Sequence, residues 1–180
     1  MATYLALLRG INVGGHKKVA MSDLRELCTG LGFEDVRTVL QSGNLVFSSS
    51  ARTPSSLERL LEAEVKKQLG VETRFFVRTV KEWQGAIADN PFHAEAERDP
   101  SHLLVMFLRD TPQAKQVKAL QAAIQGREVV RAKGRHAYLV YPDGMGTSRL
   151  TINVIEKHLG TQGTARNWNT VAKMATLADS

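Results

Sequence analysis

Val36-Arg37-Thr38-Val39-Leu40-Gln41-Ser42-Gly43-Asn44-Leu45-Val46-Phe47 reads as two short strands around a tight turn. The polar, glycine-containing centre supplies a hairpin turn, and the apolar β-branched flanks suit paired strands. On the N-terminal side, Leu24, Leu27, Cys28 and Leu31 recur with helical spacing. Ser22 is the expected N-cap there, Asp23 lies in the first turn, and Gly32 is the stop. On the C-terminal side, Pro54 opens a second helix that turns Leu57, Leu60, Leu61 and Val65 inward and closes at Gly70. The outer flanks, Tyr4 to Leu8 and Val71 to Arg78, read as strands. The order is βαββαβ.

The second half repeats that order. His102 to Leu108 is a strand, and Thr111-Pro112 caps a helix with Val117, Leu120 and Ile124 inward and Gly126 as its stop. Glu128 to Ala132 and Ala137 to Tyr141 pair around Lys133-Gly134. Thr147 or Ser148 then caps a helix containing Ile152, Ile155 and Leu159, although Leu150 to Val154 also alternates as a strand would. An extended piece near Thr164 and a helix from Asn167 complete the chain. The expected class is α+β: two tandem ferredoxin-like βαββαβ units, antiparallel sheets with helices packed on one face. The first unit would span 1–88 with an extra helix over 79–88, the link 89–101, and the second unit 102–180. The halves show no sequence identity, so the repeat rests on element order.

The chain has 180 residues, 24 Lys or Arg and 18 Asp or Glu, for a net charge of +6. With 43% hydrophobic and 23% charged residues it is too balanced for a disordered protein. No apolar run approaches a membrane span and no signal-peptide core opens the chain, so a cytoplasmic protein without a membrane partner is expected. One cysteine excludes an internal disulfide framework and a Cys-based zinc cluster.

Arg9-Gly10-Ile11-Asn12-Val13-Gly14-Gly15-His16-Lys17-Lys18 follows a strand and precedes a helix, as a phosphate-cradling loop does. Gly10 and Gly15 have phosphate-loop spacing. His16, however, takes the lysine position, and no hydroxyl follows to hold magnesium, which argues against nucleotide hydrolysis. A looser anion site remains: glycines let backbone N–H groups converge, and Arg9, His16, Lys17 and Lys18 add positive charge. If the 41–44 turn lies at the same end of the sheet, Gln41 and Asn44 would offer amides beside Arg9. Arg166-Asn167-Trp168-Asn169 is a second candidate, a helix start preceded by Arg, with Trp168 and Val171 explained by packing.

Other groups read as structural. The hairpin holding Arg127, Arg131, Lys133, Arg135 and His136 sits where an RNA-recognition motif keeps its basic-aromatic segment, but stacking aromatics are missing and a solvated basic face is expected. His93, Glu95, Glu97, Asp99 and His102 lack metal-ligand spacing. Cys28 lies on an apolar helix face. Asp143, Ser148 and His158 have no nucleophile turn to make them a triad.

Arg9 to Gly15, Gln41 to Asn44, Asp89-Asn90-Pro91-Phe92 and Thr164 to Val171 together resemble the family known as Domain of Unknown Function 1697, across essentially the whole chain. The resemblance implies a compact bacterial α+β protein and brings no activity, cofactor or catalytic residue. It marks Arg9, Asn12, Gly14, Gly15, Gln41, Ser42, Gly43, Asn44, Arg166, Asn167 and Trp168 as family hallmarks. The expected function is binding of an anionic ligand, a phosphate-bearing small molecule or nucleic acid, without metal or cofactor. The contributing residues would be Arg9, Asn12, Gly14, Gly15, His16, Lys17, Gln41, Asn44, Arg166, Asn167 and Trp168. The rivals are an enzyme on a phosphorylated or carboxylated substrate with His16 as acid or base, and a protein-interaction module.

Overall fold

A computed structural model describes residues 1–11, 18–39 and 43–179. The elements run β1 (Ala2–Leu8), α1 (Met21–Gly30), β2 (Glu34–Val39), β3 (Asn44–Ser49), α2 (Pro54–Leu69), β4 (Phe75–Thr79) and α3 (Val80–Ala88). The second series is α4 (His93–Arg98), β5 (Leu103–Leu108), α5 (Ala114–Ala123), β6 (Val129–Lys133), β7 (His136–Val140), α6 (Ile152–Leu159), β8 (Gly163–Asn167) and α7 (Trp168–Ala178). The strands form two four-stranded sheets, ordered β2-β3-β1-β4 and β6-β7-β5-β8, with every neighbouring pair antiparallel. This is the ferredoxin-like order, present twice. The chain divides into two compact units, Met1–Gly85 with the residues from Lys173 onward, and Ala86–Ala172.

Each sheet packs one face on its helices. In the first unit Tyr4, Ala6 and Leu8 of β1 join Leu45, Phe47, Phe75 and Val77 against Leu24 and Leu27 of α1 and Leu57, Leu61 and Val65 of α2. Phe33 and Phe47 stack there with ring centroids 4.5 Å apart. In the second unit Leu104, Met106 and Leu108 join Ala137 and Leu139 against Leu120, Ile155 and Leu159. Full burial of a Leu contributes about 2 kcal/mol relative to exposure, which makes these periodic positions the main determinant of the layers. Leu5 and Leu7, on the opposite face of β1, are also fully buried, which accounts for the strand's unbroken apolar run.

Some element boundaries differ from the sequence reading. Helix α1 begins at Met21 with Ala20 as N-cap, so Ser22 sits inside the first turn. The cap of α5 is Gln113 rather than Thr111-Pro112, its N–H donating to the Gln116 side chain at 2.8 Å. For α6 the cap is Thr151, whose Oγ1 accepts from Val154 N–H, and Leu150 to Val154 is no strand. Ser148 is engaged elsewhere, donating to Glu128 at 2.7 Å. Along α7 the buried apolar positions are Val171 and Met174, while Trp168 and Ala175 are half-buried.

The repeat reaches individual residues. Arg78 pairs with Leu5 across β4 and β1, and Arg166 pairs with Val105 across β8 and β5. Both arginines lie on the sheet face turned away from their unit's core helices, and each Nη1 donates to the preceding carbonyl, Val77 at 3.1 Å and Ala165 at 2.9 Å. The next residue caps a helix in both units: Thr79 Oγ1 accepts from Glu82 N–H, and Asn167 Oδ1 accepts from Thr170 N–H. Helices α2 and α6 share a threonine N-cap and a left-handed glycine C-cap, Gly70 and Gly160, each at φ 68°. Sheet edges are treated alike as well. Glu58 and Glu62 accept N–H groups of β4, and Glu156 accepts the Gly163 N–H of β8.

Candidate functional site

Arg9 follows the last residue of β1 and is fixed through its backbone. Its N–H donates to the Arg74 carbonyl at 3.0 Å, and its carbonyl accepts from Thr73 Oγ1 at 2.8 Å. The side chain is half-exposed. Arg74, beside it just before β4, is well exposed and lies 3.6 Å from Glu62. Sequence reading placed Arg74 inside a strand and missed this neighbour, because only the β1–β4 register brings the two arginines together.

The connection from β1 to α1 is anchored at both described ends. Ile11 and Val19 are buried in the helix-side core, and Gly10 takes a left-handed conformation (φ 63°). The β2–β3 turn lies at this same end of the sheet. Leu8 N–H donates to the Gly43 carbonyl at 2.9 Å, extending the register that pairs Leu7 with Asn44. Gly43 (φ 76°) must be glycine on two counts: its sign of φ, and the space taken by Ile11 and Leu8, which a Cβ would approach to 2.8 and 2.9 Å. The glycine-rich segment and the hairpin turn therefore share one base at the C-terminal end of a central strand.

Of the other expected site residues, Asn12, Gly14, Gly15, His16, Lys17, Gln41 and Ser42 lie outside the described residues. Lys18 is exposed. Asn44 is fully buried, and its amide donates to the Val39 carbonyl at 2.9 Å, closing the hairpin from within. Arg166 belongs to the second unit, where its Nη1 also donates to Thr164 Oγ1 at 2.8 Å. Burial lowers its pKa to about 10. Asn167 is the cap of α7, and Trp168 opens that helix half-buried. Arg78, the last residue of the strand expected over Val71 to Arg78, is 1% exposed; its signal in the sequence is a charge ending the apolar run Phe75-Phe76-Val77.

The basic hairpin of β6 and β7 is engaged locally. Lys133 pairs with Asp89 at 3.0 Å, Arg127 pairs with Asp143, and Arg131 reaches Gln121. His102 pairs with Asp99 at 2.8 Å, and among the described residues no group of three His, Cys, Asp or Glu could hold a metal ion. Burial pushes the Cys28 thiol up to about 12, which keeps it protonated and unreactive. Among the described residues no helix is long and apolar enough to cross a membrane.

Two ferredoxin-like units, the first with a basic, glycine-rich connection at the end of its central strand, define a duplicated α+β protein. The chain belongs to the family described as protein of unknown function (DUF1697), whose model matches residues 1–138. Among solved structures it is similar to conserved bacterial protein SP0830 from Streptococcus pneumoniae, at 23% identity and a TM-score of 0.75 over 98% of each chain. That likeness is one of fold. No curated protein matches the chain significantly.

Proposed function

We propose that the protein binds a phosphate-bearing small molecule at the C-terminal end of β1, with Arg9 as the principal anchor. The observation that carries this reading is the shared base of the glycine-rich connection and the β2–β3 turn beside a backbone-fixed, half-exposed arginine. An arginine whose backbone is held in this way suits fork-like recognition of a phosphate; Arg74 adds positive charge beside it, and Lys18 belongs to the same connection in sequence. The glycines at 14 and 15 and the basic pair His16-Lys17 belong to the same connection in sequence, so the ligand's remaining oxygens are assigned to that segment. A small ligand is favoured over nucleic acid because the basic hairpin is paired locally and aromatic residues make up only 6% of the chain. The lone buried thiol and the family resemblance support a bacterial, cytoplasmic setting.

Titration calorimetry of the full chain with inorganic pyrophosphate tests the reading. Arg9→Lys should weaken binding about tenfold, because the fork becomes a point charge, while the melting temperature stays unchanged. A lowered melting temperature with unaltered affinity would make Arg9 a structural residue and overturn the site. Preference for an oligonucleotide, with a salt slope that falls by about 0.9 in the charge-removing variant Arg9→Gln, would replace the small-molecule reading with a nucleic-acid one.

A further inference from the structure

The second unit contains a cavity of about 600 Å³ between the end of α5, the start of α6 and the chain joining β7 to α6. That volume lies within the range of small-molecule sites, and its composition is the usual one, an apolar wall with a few polar groups. Leu120, Ile124, Leu150 and Val154 supply the wall. The polar side carries two carboxylates, Glu128 and Asp143, together with Arg149 and His158.

Glu128 is the central one. Its Oε1 accepts from Ser148 Oγ at 2.7 Å, and Ser148 Oγ in turn accepts from Leu150 N–H at 3.1 Å, so the carboxylate is oriented by a serine that is itself tied down. Its Oε2 lies beside Gly126, where a Cβ would come within 2.4 Å; only glycine leaves the carboxylate this position. Among the described residues no cation forms an ion pair with Glu128, although the Arg127 charge acts on it from the neighbouring position. Neighbouring Arg127 is held by Asp143, and Arg149 donates to Gln125 at 3.0 Å. His158 also lines the cavity. Its Nδ1 lies 3.0 Å from the Val154 carbonyl, which can only accept, so Nδ1 is the donor of that bond. Asp143, Ser148 and His158 thus share a cavity but make no hydrogen bonds to one another, and no nucleophile is assembled.

We infer that this cavity binds a small amine, its apolar body against Leu120, Ile124, Leu150 and Val154 and its ammonium on Glu128. The chemistry is complementary. A half-buried carboxylate that forms no ion pair suits a donor, and an ammonium group brings three donors with the opposite charge. The inference concerns the second unit alone and does not depend on the anion site at Arg9.

The test is amide chemical-shift mapping of the full-length, nitrogen-15-labelled protein with 2-phenylethylamine, and with 3-phenylpropanoate as the anionic counterpart. The amine should give saturable shifts at Gly126, Glu128, Ser148 and Leu150, and the acid should give none there. Glu128→Gln keeps an acceptor for Ser148 and should weaken the amine about tenfold or more. If that variant unfolds, Ala123→Trp, which narrows the rim, should abolish the amine shifts while the spectrum stays dispersed. Arg9→Lys should leave amine binding untouched. Equal binding of acid and amine, full amine affinity in Glu128→Gln, or no saturable shift at these residues would each overturn the inference.

Discussion

The two units end their first central strands in the same way and then diverge. Leu8-Arg9 closes β1 and Leu108-Arg109 closes β5. In both units the leucine N–H donates to the hairpin turn, Gly43 or Arg135, and the arginine N–H donates to the segment before the last strand, Arg74 or Gln162. In the first unit residues 9–20 then intervene before the helix, and in the second only residues 109–113. The opposite holds one connection later. Residues 50–53 join β3 to α2, whereas 141–151 join β7 to α6. Antiparallel neighbours put these two connections at opposite ends of the repeated sheet. The repeated framework is fixed by packing and capping, and each unit has lengthened a different connection. Both proposed sites lie at those lengthened places, the anion site in one unit and the amine cavity in the other.

The sharpest contrast between the units is at their hairpin turns. Gly43→Val puts a branched side chain at positive φ and into Ile11 and Leu8, and should cost about 3 kcal/mol in urea unfolding. Gly134→Val, at φ 58° with nothing within 4 Å of its Cβ, carries the backbone penalty alone, about 1.5 kcal/mol. Equal losses would show that the first turn is not packed against the base of the β1–α1 connection. A smaller effect probes what the units share. Thr53→Ala and Thr151→Ala each remove one N-cap acceptor, from Ser56 and from Val154, and should each cost about 1 kcal/mol. The double variant should lose the sum, since the caps share no partner. A double variant much less stable than the sum would mean that the two helices are not independent copies of one device.

Much of this framework was legible from periodicity. Leu24, Leu27 and Cys28, or Leu57, Leu61 and Val65, announce helix faces because apolar burial at i, i+3 and i+4 leaves few alternatives. The cap of α6 was not legible, because Ser148 is a good local cap in isolation and only the tertiary arrangement presents Glu128 to it. The residue-level repeat was hidden for a different reason. Connections of unequal length change the spacing between equivalent residues, so Leu5 and Val105 are offset differently from Arg78 and Arg166, and no fixed period aligns them. At the candidate site, Arg9 and the glycines stood out by composition, but Arg74 became a neighbour only through strand pairing. Asn44 looked like an available amide until its burial and its bond to Val39 accounted for it.

The central claim is that a repeated strand end became an anion site in one unit and not in the other. Titrating the nitrogen-15-labelled full chain with inorganic pyrophosphate compares the two ends in a single sample. Saturable shifts at Leu8, Arg9, Gly10 and Gly43, with Leu108, Arg109 and Asp110 unmoved, are the result this account predicts. Equal shifts at both strand ends, or none that saturate at the first, would contradict it.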